Sequence, residues 1–161
     1  MEENFLSRNF YQRYYNHLMH TPLNPSYREE VTNSFAQQSI MDHIGARLTR
    51  VEPGIVEITL AYRPDITQQH GFIHAGVLAT IADSACGYAA YSLMPAGAEV
   101  LSVEFKINML RPAKGDSFRA LAEVVKAGRT LTIVNANVFA LAADKEELVA
   151  TMLGTMICLM K

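Results

Sequence analysis

The chain has 161 residues, half of them hydrophobic and 19% charged, with a formal net charge of −2. That length fits one domain, and the apolar share supports a packed core and excludes a disordered chain. The charge, with no cluster of lysine or arginine, gives no electrostatic reason to expect nucleic acid or an anionic membrane as partner.

Residues 1–30 differ in composition from the rest. Phe5, Arg8, Phe10, Arg13 and Tyr14 make the segment aromatic and basic, and Phe10, Tyr14 and Leu18 fall at helical spacing. The shift predicts an N-terminal helical extension over residues 1–30 and a domain over 31–161. The first residues lack an apolar run behind a basic one, so no secretory signal is expected. Cys86 and Cys158 stand far apart in apolar surroundings with no CxxC. Buried thiols in a reducing, cytoplasmic compartment are the expectation.

"SYREEVTNSFAQQSIMDHIG" reads as one helix, with Ser26 and Glu29 spaced as a capping box and Gly45 as its stop. "ARLTRV" and "IVEITLAY" flank Pro53-Gly54, which predicts a hairpin. Further on, Val103, Phe105, Ile107 and Met109 alternate with Ser102, Glu104, Lys106 and Asn108, as in a half-buried strand. "SFRALAEVVKA" and "TLTIVNANVFAL" are runs joined near Gly128, and "LVATMLGTMICLM" closes the chain. Between the hairpin and these strands lies an apolar helix over about 76–94. The order predicts an α+β domain, an antiparallel sheet with a helix against one side.

The helix carries one acid, Asp83. A membrane span is a poor reading, because an aspartate at mid-bilayer costs about 2.5–3.5 kcal/mol and no other segment competes as a span. A helix wrapped by a sheet explains its composition better. Gly76, Thr80, Asp83 and Gly87 step by four, three and four, so they share a small, polar face. Asp83 is then either a satisfied core acid, hydrogen-bonded to Thr80 or Ser84, or a catalytic base or nucleophile. The helix start offers unpaired N–H groups, and "HAG" at 74–76 keeps it open to a ligand oxygen, as acyl transfer requires. Asp83 lies seven residues beyond Gly76, about 10 Å along the axis. One subunit cannot easily bring both to one carbonyl. A two-fold pairing of antiparallel helices can, which predicts a dimer with two equivalent sites.

The stretch "QQHGFIHAGVLATIADSACGYAA" resembles the signature of the PaaI-type hotdog-fold acyl-CoA thioesterases: Asn or Gln, GxxHGG, then an acid nine residues after the histidine. Gln68, Gly71, His74 and Asp83 match its spacing. "SVEFKINMLRPAKGD" and "GRTLTIVNANV" look like strands of the same family, and the likeness covers about residues 35–160. It implies a curved antiparallel sheet around a central helix, with active sites at a dimer interface and a homotetramer as the expected assembly. By position, Asp83 would be general base or nucleophile. The Ala75 N–H, at the Gly76 helix start, would hold the thioester oxygen, helped by the Gln68 amide. His74 would orient the site and Ser102 would hold the water. Ala75 departs from the family's glycine there, and its methyl group narrows the approach. Arg111, Lys114 and Arg129 would contact the coenzyme A phosphates.

The resemblance thus implies a cytoplasmic acyl-CoA thioesterase, with acyl-CoA as substrate and no further cofactor, metal, nucleic acid or membrane partner. His70 and His74 lack a zincin's helix and central glutamate, no GxSxG supports a serine triad, and Ile81 stands where the hydratase branch carries its acid. The alternative is a hotdog domain that binds acyl-CoA as a sensor without hydrolysing it.

Overall fold

A computed structural model describes residues 20–143 and 145–160. The helix expected around Phe10, Tyr14 and Leu18 lies outside these residues.

The single helix expected over 26–45 is two: α1 at Tyr27–Ala36 and α2 at Ser39–Ile44. Gln38 breaks them apart in an extended conformation, with ψ 96. The capping box does not form, since Ser26 makes no side-chain cap bond. Asn24 does the work instead: its Oδ1 accepts the Ser26 N–H at 2.9 Å, and its carbonyl accepts the Tyr27 N–H at 3.2 Å. Gly45 does stop α2, at φ 75, where a Cβ would be strained. The boundary expected at residue 30 falls inside α1, whose Val31 is fully buried in the core.

Strands β1 (Arg47–Glu52) and β2 (Ile55–Ala61) form the hairpin, with Glu52 opposite Ile55 and Gly54 at φ 76 in the turn. After a short 3₁₀ turn at Pro64–Ile66 comes the long helix α3, Ala75–Tyr91. It ends before Met94, because the chain turns at Ser92 to reach strand β3. Strands β3 (Ala98–Met109), β4 (Ser117–Ala127), β5 (Leu131–Ala142) and β6 (Lys145–Met160) complete one antiparallel sheet of order β1-β2-β4-β5-β6-β3.

Helix α3 packs against β2 through β6, so the sheet wraps it on most sides. The strands supply every second residue to this core. Val56, Ile58 and Leu60 of β2, Phe118, Ala120 and Ala122 of β4, and Val134, Ala136 and Val138 of β5 are all buried. Alanine is common here because a helix lies directly on the sheet. This is the hotdog arrangement that the resemblance implied. Among the described residues, no helix is long and apolar enough to cross a membrane.

The two ends of α3 are tied differently. Buried Ser92, just past its C-terminus, accepts the Gly54 N–H at 2.8 Å and donates to the Ala89 carbonyl at 2.7 Å. That fixes the helix end against the hairpin turn. At the other end, the Ile73 N–H reaches the Ala113 carbonyl at 3.2 Å, which hangs the helix start from the β3–β4 connection.

Candidate active site

The loop before α3 is a tight turn. The Gln68 N–H donates to the Phe72 carbonyl at 2.8 Å, the Gly71 N–H donates back to Gln68 at 3.0 Å, and Gly71 sits at φ 79. The Gln68 side-chain oxygen accepts the His70 N–H. Its amide NH₂ is thereby left to donate elsewhere.

His74 is the N-cap of α3. Its Nδ1 accepts the Gly76 N–H at 2.9 Å, and its carbonyl accepts the Val77 N–H at 2.9 Å. This corrects the expectation for Gly76, whose amide is occupied by His74 and is not open to a ligand. Ala75, the first residue of α3, keeps its N–H without an acceptor among the described residues. The exposed helix start therefore presents one amide, with the Gln68 side chain near it. Both line a cavity of about 470 Å³ with Phe72, Leu78, Met109 and Arg111.

Asp83 lies two turns further along, half-buried on the face it shares with Gly76, Thr80 and Gly87. Neither Thr80 nor Ser84 holds it. Thr80 bonds to the Gly76 carbonyl at 2.8 Å, and Ser84 to the Gln38 Oε1 at 3.2 Å. The partner of Asp83 is Ser102 of β3, whose hydroxyl donates to Oδ1 at 2.7 Å. Plain alternation puts Ser102 on the opposite face from Phe105, Ile107 and Met109. The pairing slips at Val103, between Ser102 and Glu104. Ser102 then pairs with buried Met156, and Ile107 with buried Met152, so both point to the helix side.

A second, smaller cavity of about 140 Å³ opens beside Asp83 and Ser102, walled by Ser34 and Gln38 and by Ser84, Gly87 and Tyr88 of α3. Ser34, Gln38 and Tyr88 had no signal in the sequence as site residues. They reach Asp83 only because α1 and α2 fold back over α3. Burial is the main influence raising the Tyr88 hydroxyl above its ordinary range, opposed by hydrogen bonds from Ser34 and Gln38. Burial, and then the Asp83 charge, push the Cys86 thiol far up, so Cys86 is an inert core residue.

Arg111 lines the cavity at the helix start, donates to the Leu148 carbonyl at 3.1 Å and pairs with Glu147 at 3.4 Å. Lys114 is exposed on the same β3–β4 connection. Arg129 is elsewhere: it sits on the β4–β5 turn and lines a separate cavity of about 700 Å³ past the C-terminal end of α3, with Leu93, Met94 and Cys158. The strand between Lys114 and Arg129 spans about 33 Å, so one chain does not bring the three basic residues together. Among the described residues, no three His, Cys, Asp or Glu side chains gather as a metal site.

One long helix with an open amide at its start and a hydrogen-bonded carboxylate two turns on, wrapped by a six-stranded antiparallel sheet, defines a hotdog domain. Residues 70–145 match the thioesterase superfamily. A thioesterase family protein from Silicibacter pomeroyi has a similar structure, with a TM-score of 0.83 and 50% identity over 84% of this chain and 99% of that one. An esterase-named protein of Halobacterium salinarum is 30% identical over 62% of this chain and 68% of its own length. The chain belongs to the thioesterase superfamily. The PaaI protein of E. coli, at 20% identity over 85% of this chain and 96% of that one, shares the fold with a TM-score of 0.76.

Proposed function

We propose that this protein is an acyl-CoA thioesterase that works as a homodimer, each site joining the α3 start of one protomer to Asp83 of the other. The observation that carries the reading is the pairing of an unengaged Ala75 N–H with an Asp83 carboxylate held by Ser102, eight residues further along one helix. That separation is about 12 Å along the axis, while a reacting carbonyl needs both within about 3–3.5 Å. The edge strand β3 supplies a means of pairing. Among the described residues its far side has no strand neighbour, and Leu101, Val103 and Phe105 are 57%, 53% and 43% exposed. A long apolar edge of this kind calls for a cover, and β3 lies beside the Asp83 face.

In this site the Ala75 N–H and the Gln68 amide receive the thioester oxygen and stabilise the charge that forms on it. Asp83 takes the proton of the attacking water through Oδ2, or attacks the carbonyl itself, while Ser102 holds Oδ1. In the first route the water oxygen bonds to the carbonyl carbon, the C–S bond breaks, and the proton that Asp83 took passes to the departing coenzyme A sulfur. In the second the Asp83 oxygen bonds to the carbonyl carbon as the C–S bond breaks, the thiolate takes a proton from solvent, and water then hydrolyses the anhydride to free acid and Asp83. His74 keeps the Gly76 amide off the substrate and fixes the loop. Arg111 lines the same cavity, and exposed Lys114 follows it on the β3–β4 connection, so both are placed to meet the phosphates. Arg129 serves a site only as the partner's contribution.

The test is release of free thiol from a panel of acyl-CoAs by the wild type and by Asp83→Ala. Turnover that disappears in the variant supports the enzyme. Binding without turnover across the panel leaves the sensor.

A further inference from the structure

The cavity beside Asp83 differs in lining from the one at the helix start. It runs along α3 from Asp83 toward Gly87 and Tyr88, closed by Ser34 and Gln38 on one side and Val100 on the other. Its volume of about 140 Å³ has room for about five water-sized groups. Its lining is unusually polar for an acyl pocket. The Tyr88 hydroxyl lies 3.3 Å from the Ser34 Oγ, and the Ser84 Oγ donates to the Gln38 Oε1 at 3.2 Å. The Tyr88 ring is held edge-on to Phe35, with ring centroids 5.9 Å apart. Among the described residues, no lysine or arginine lines it.

We propose that this cavity takes the acyl part of the substrate, and that the acyl group is short and ends in a neutral hydrogen-bonding group such as a hydroxyl. The inference rests on Asp83 being the catalytic carboxylate. Phosphates have no partner in this cavity, whereas Arg111 stands at the larger one. The coenzyme A arm therefore leaves by the helix start, and the acyl group faces Ser34, Gln38 and Tyr88. A carboxylate terminus finds no cation there and meets the charge of Asp83. A long alkyl chain outgrows a space of about 140 Å³. Among the described residues, the large cavity past the end of α3 shares no lining residue with this one.

Gly87 provides a clean probe. A Cβ added there meets no atom within 4 Å, so Gly87→Ala shortens the cavity without disturbing the fold, and alanine suits a helix better than glycine. The experiment compares 4-hydroxybutyryl-CoA, butyryl-CoA and octanoyl-CoA with the wild type, Tyr88→Phe and Gly87→Ala. Turnover is measured by thiol release. Binding of the matching ketone analogues, with CH₂ in place of sulfur, is measured by calorimetry, and each variant's fold by its melting temperature. The hydroxylated substrate is expected to lead butyryl-CoA by about tenfold or more, within what one recognised group supplies, and octanoyl-CoA to be the poorest. Tyr88→Phe collapses the hydroxyl preference toward unity, and Gly87→Ala penalises the longer acyl groups most. A preference for octanoyl-CoA, or a hydroxyl preference that survives Tyr88→Phe, overturns the inference even when turnover is robust. Hydroxyl-selective binding of the analogues without turnover would uphold the pocket and overturn the enzyme.

Discussion

His74 and Gly76 depend on each other. A Cβ on residue 76 would lie 3.1 Å from the His74 Nδ1, the atom that accepts the residue-76 amide. Glycine is thus needed for close approach of a ring, not for an unusual backbone angle. His74→Ala loses the cap and is expected to cost about 1 kcal/mol, lowering the melting temperature by about 2–4 °C. His74→Asn, with a good capping side chain, should restore most of that in the same melting experiment. Asp83 and Ser102 separate by kind of effect. Asp83→Asn should lower kcat by about 10²–10⁴-fold, the range for loss of a positioned base. Ser102→Ala leaves the carboxylate in place and should lower kcat by much less. Equal losses from the two variants would mean that Ser102 does more than hold Oδ1. Asp83 was legible in the sequence because it is the one charge in an apolar helix. Ser102 was legible only through the family resemblance, because a one-residue slip at Val103 changes which side of the strand it faces, and alternation has no memory of such a slip.

The elements are held together by a few buried polar ties, and these decide where the fold is sensitive. Ser92 closes the end of α3 on the Gly54 amide. Ser92→Ala leaves that amide buried and unpaired, so a loss of about 1–3 kcal/mol is expected in denaturant unfolding. Helix α1 rests on α3 through Ser34 and Tyr88, and through Tyr91, whose hydroxyl donates to Glu30 at 3.2 Å. Burial raises Cys86, Tyr88 and Tyr91 above their ordinary values of 9.0, 10.0 and 10.0. In the unfolded chain these groups ionise first, so their contribution is complete below about pH 9 and is lost as the pH rises beyond. The melting temperature is expected to fall above that pH. A thiol reagent at pH 8 should label Cys158 at its cavity while Cys86 reacts only on unfolding. The hairpin, α3 and the four later strands followed from turn residues and periodicity. The break between α1 and α2 did not, because Gln37-Gln38 carries no glycine or proline to mark it. The pair exists because α2 must turn to lay Met41 and Ile44 in the core.

At the scale of the whole molecule, the arrangement of one chain says what would reveal the proposed dimer. The apolar edge of β3 and the Asp83 face are neighbours, so a charge at Phe105, as in Phe105→Glu, should yield monomers by light scattering and abolish turnover together. A stronger test uses two inactive chains. Ala75→Pro removes the oxyanion amide with little harm to the helix, since proline is well tolerated at the first helical position. His74 already has the φ −61 and ψ 136 that suit a residue before proline. Asp83→Asn removes the base. Each homodimer is expected to be inactive. When the two chains are unfolded together and refolded, half the dimers are mixed, and each mixed dimer has one intact site, with Ala75 from one chain and Asp83 from the other. About a quarter of wild-type turnover should return. If the active site lay within a single chain, no mixture could recover any, because every chain would still lack one of the two groups.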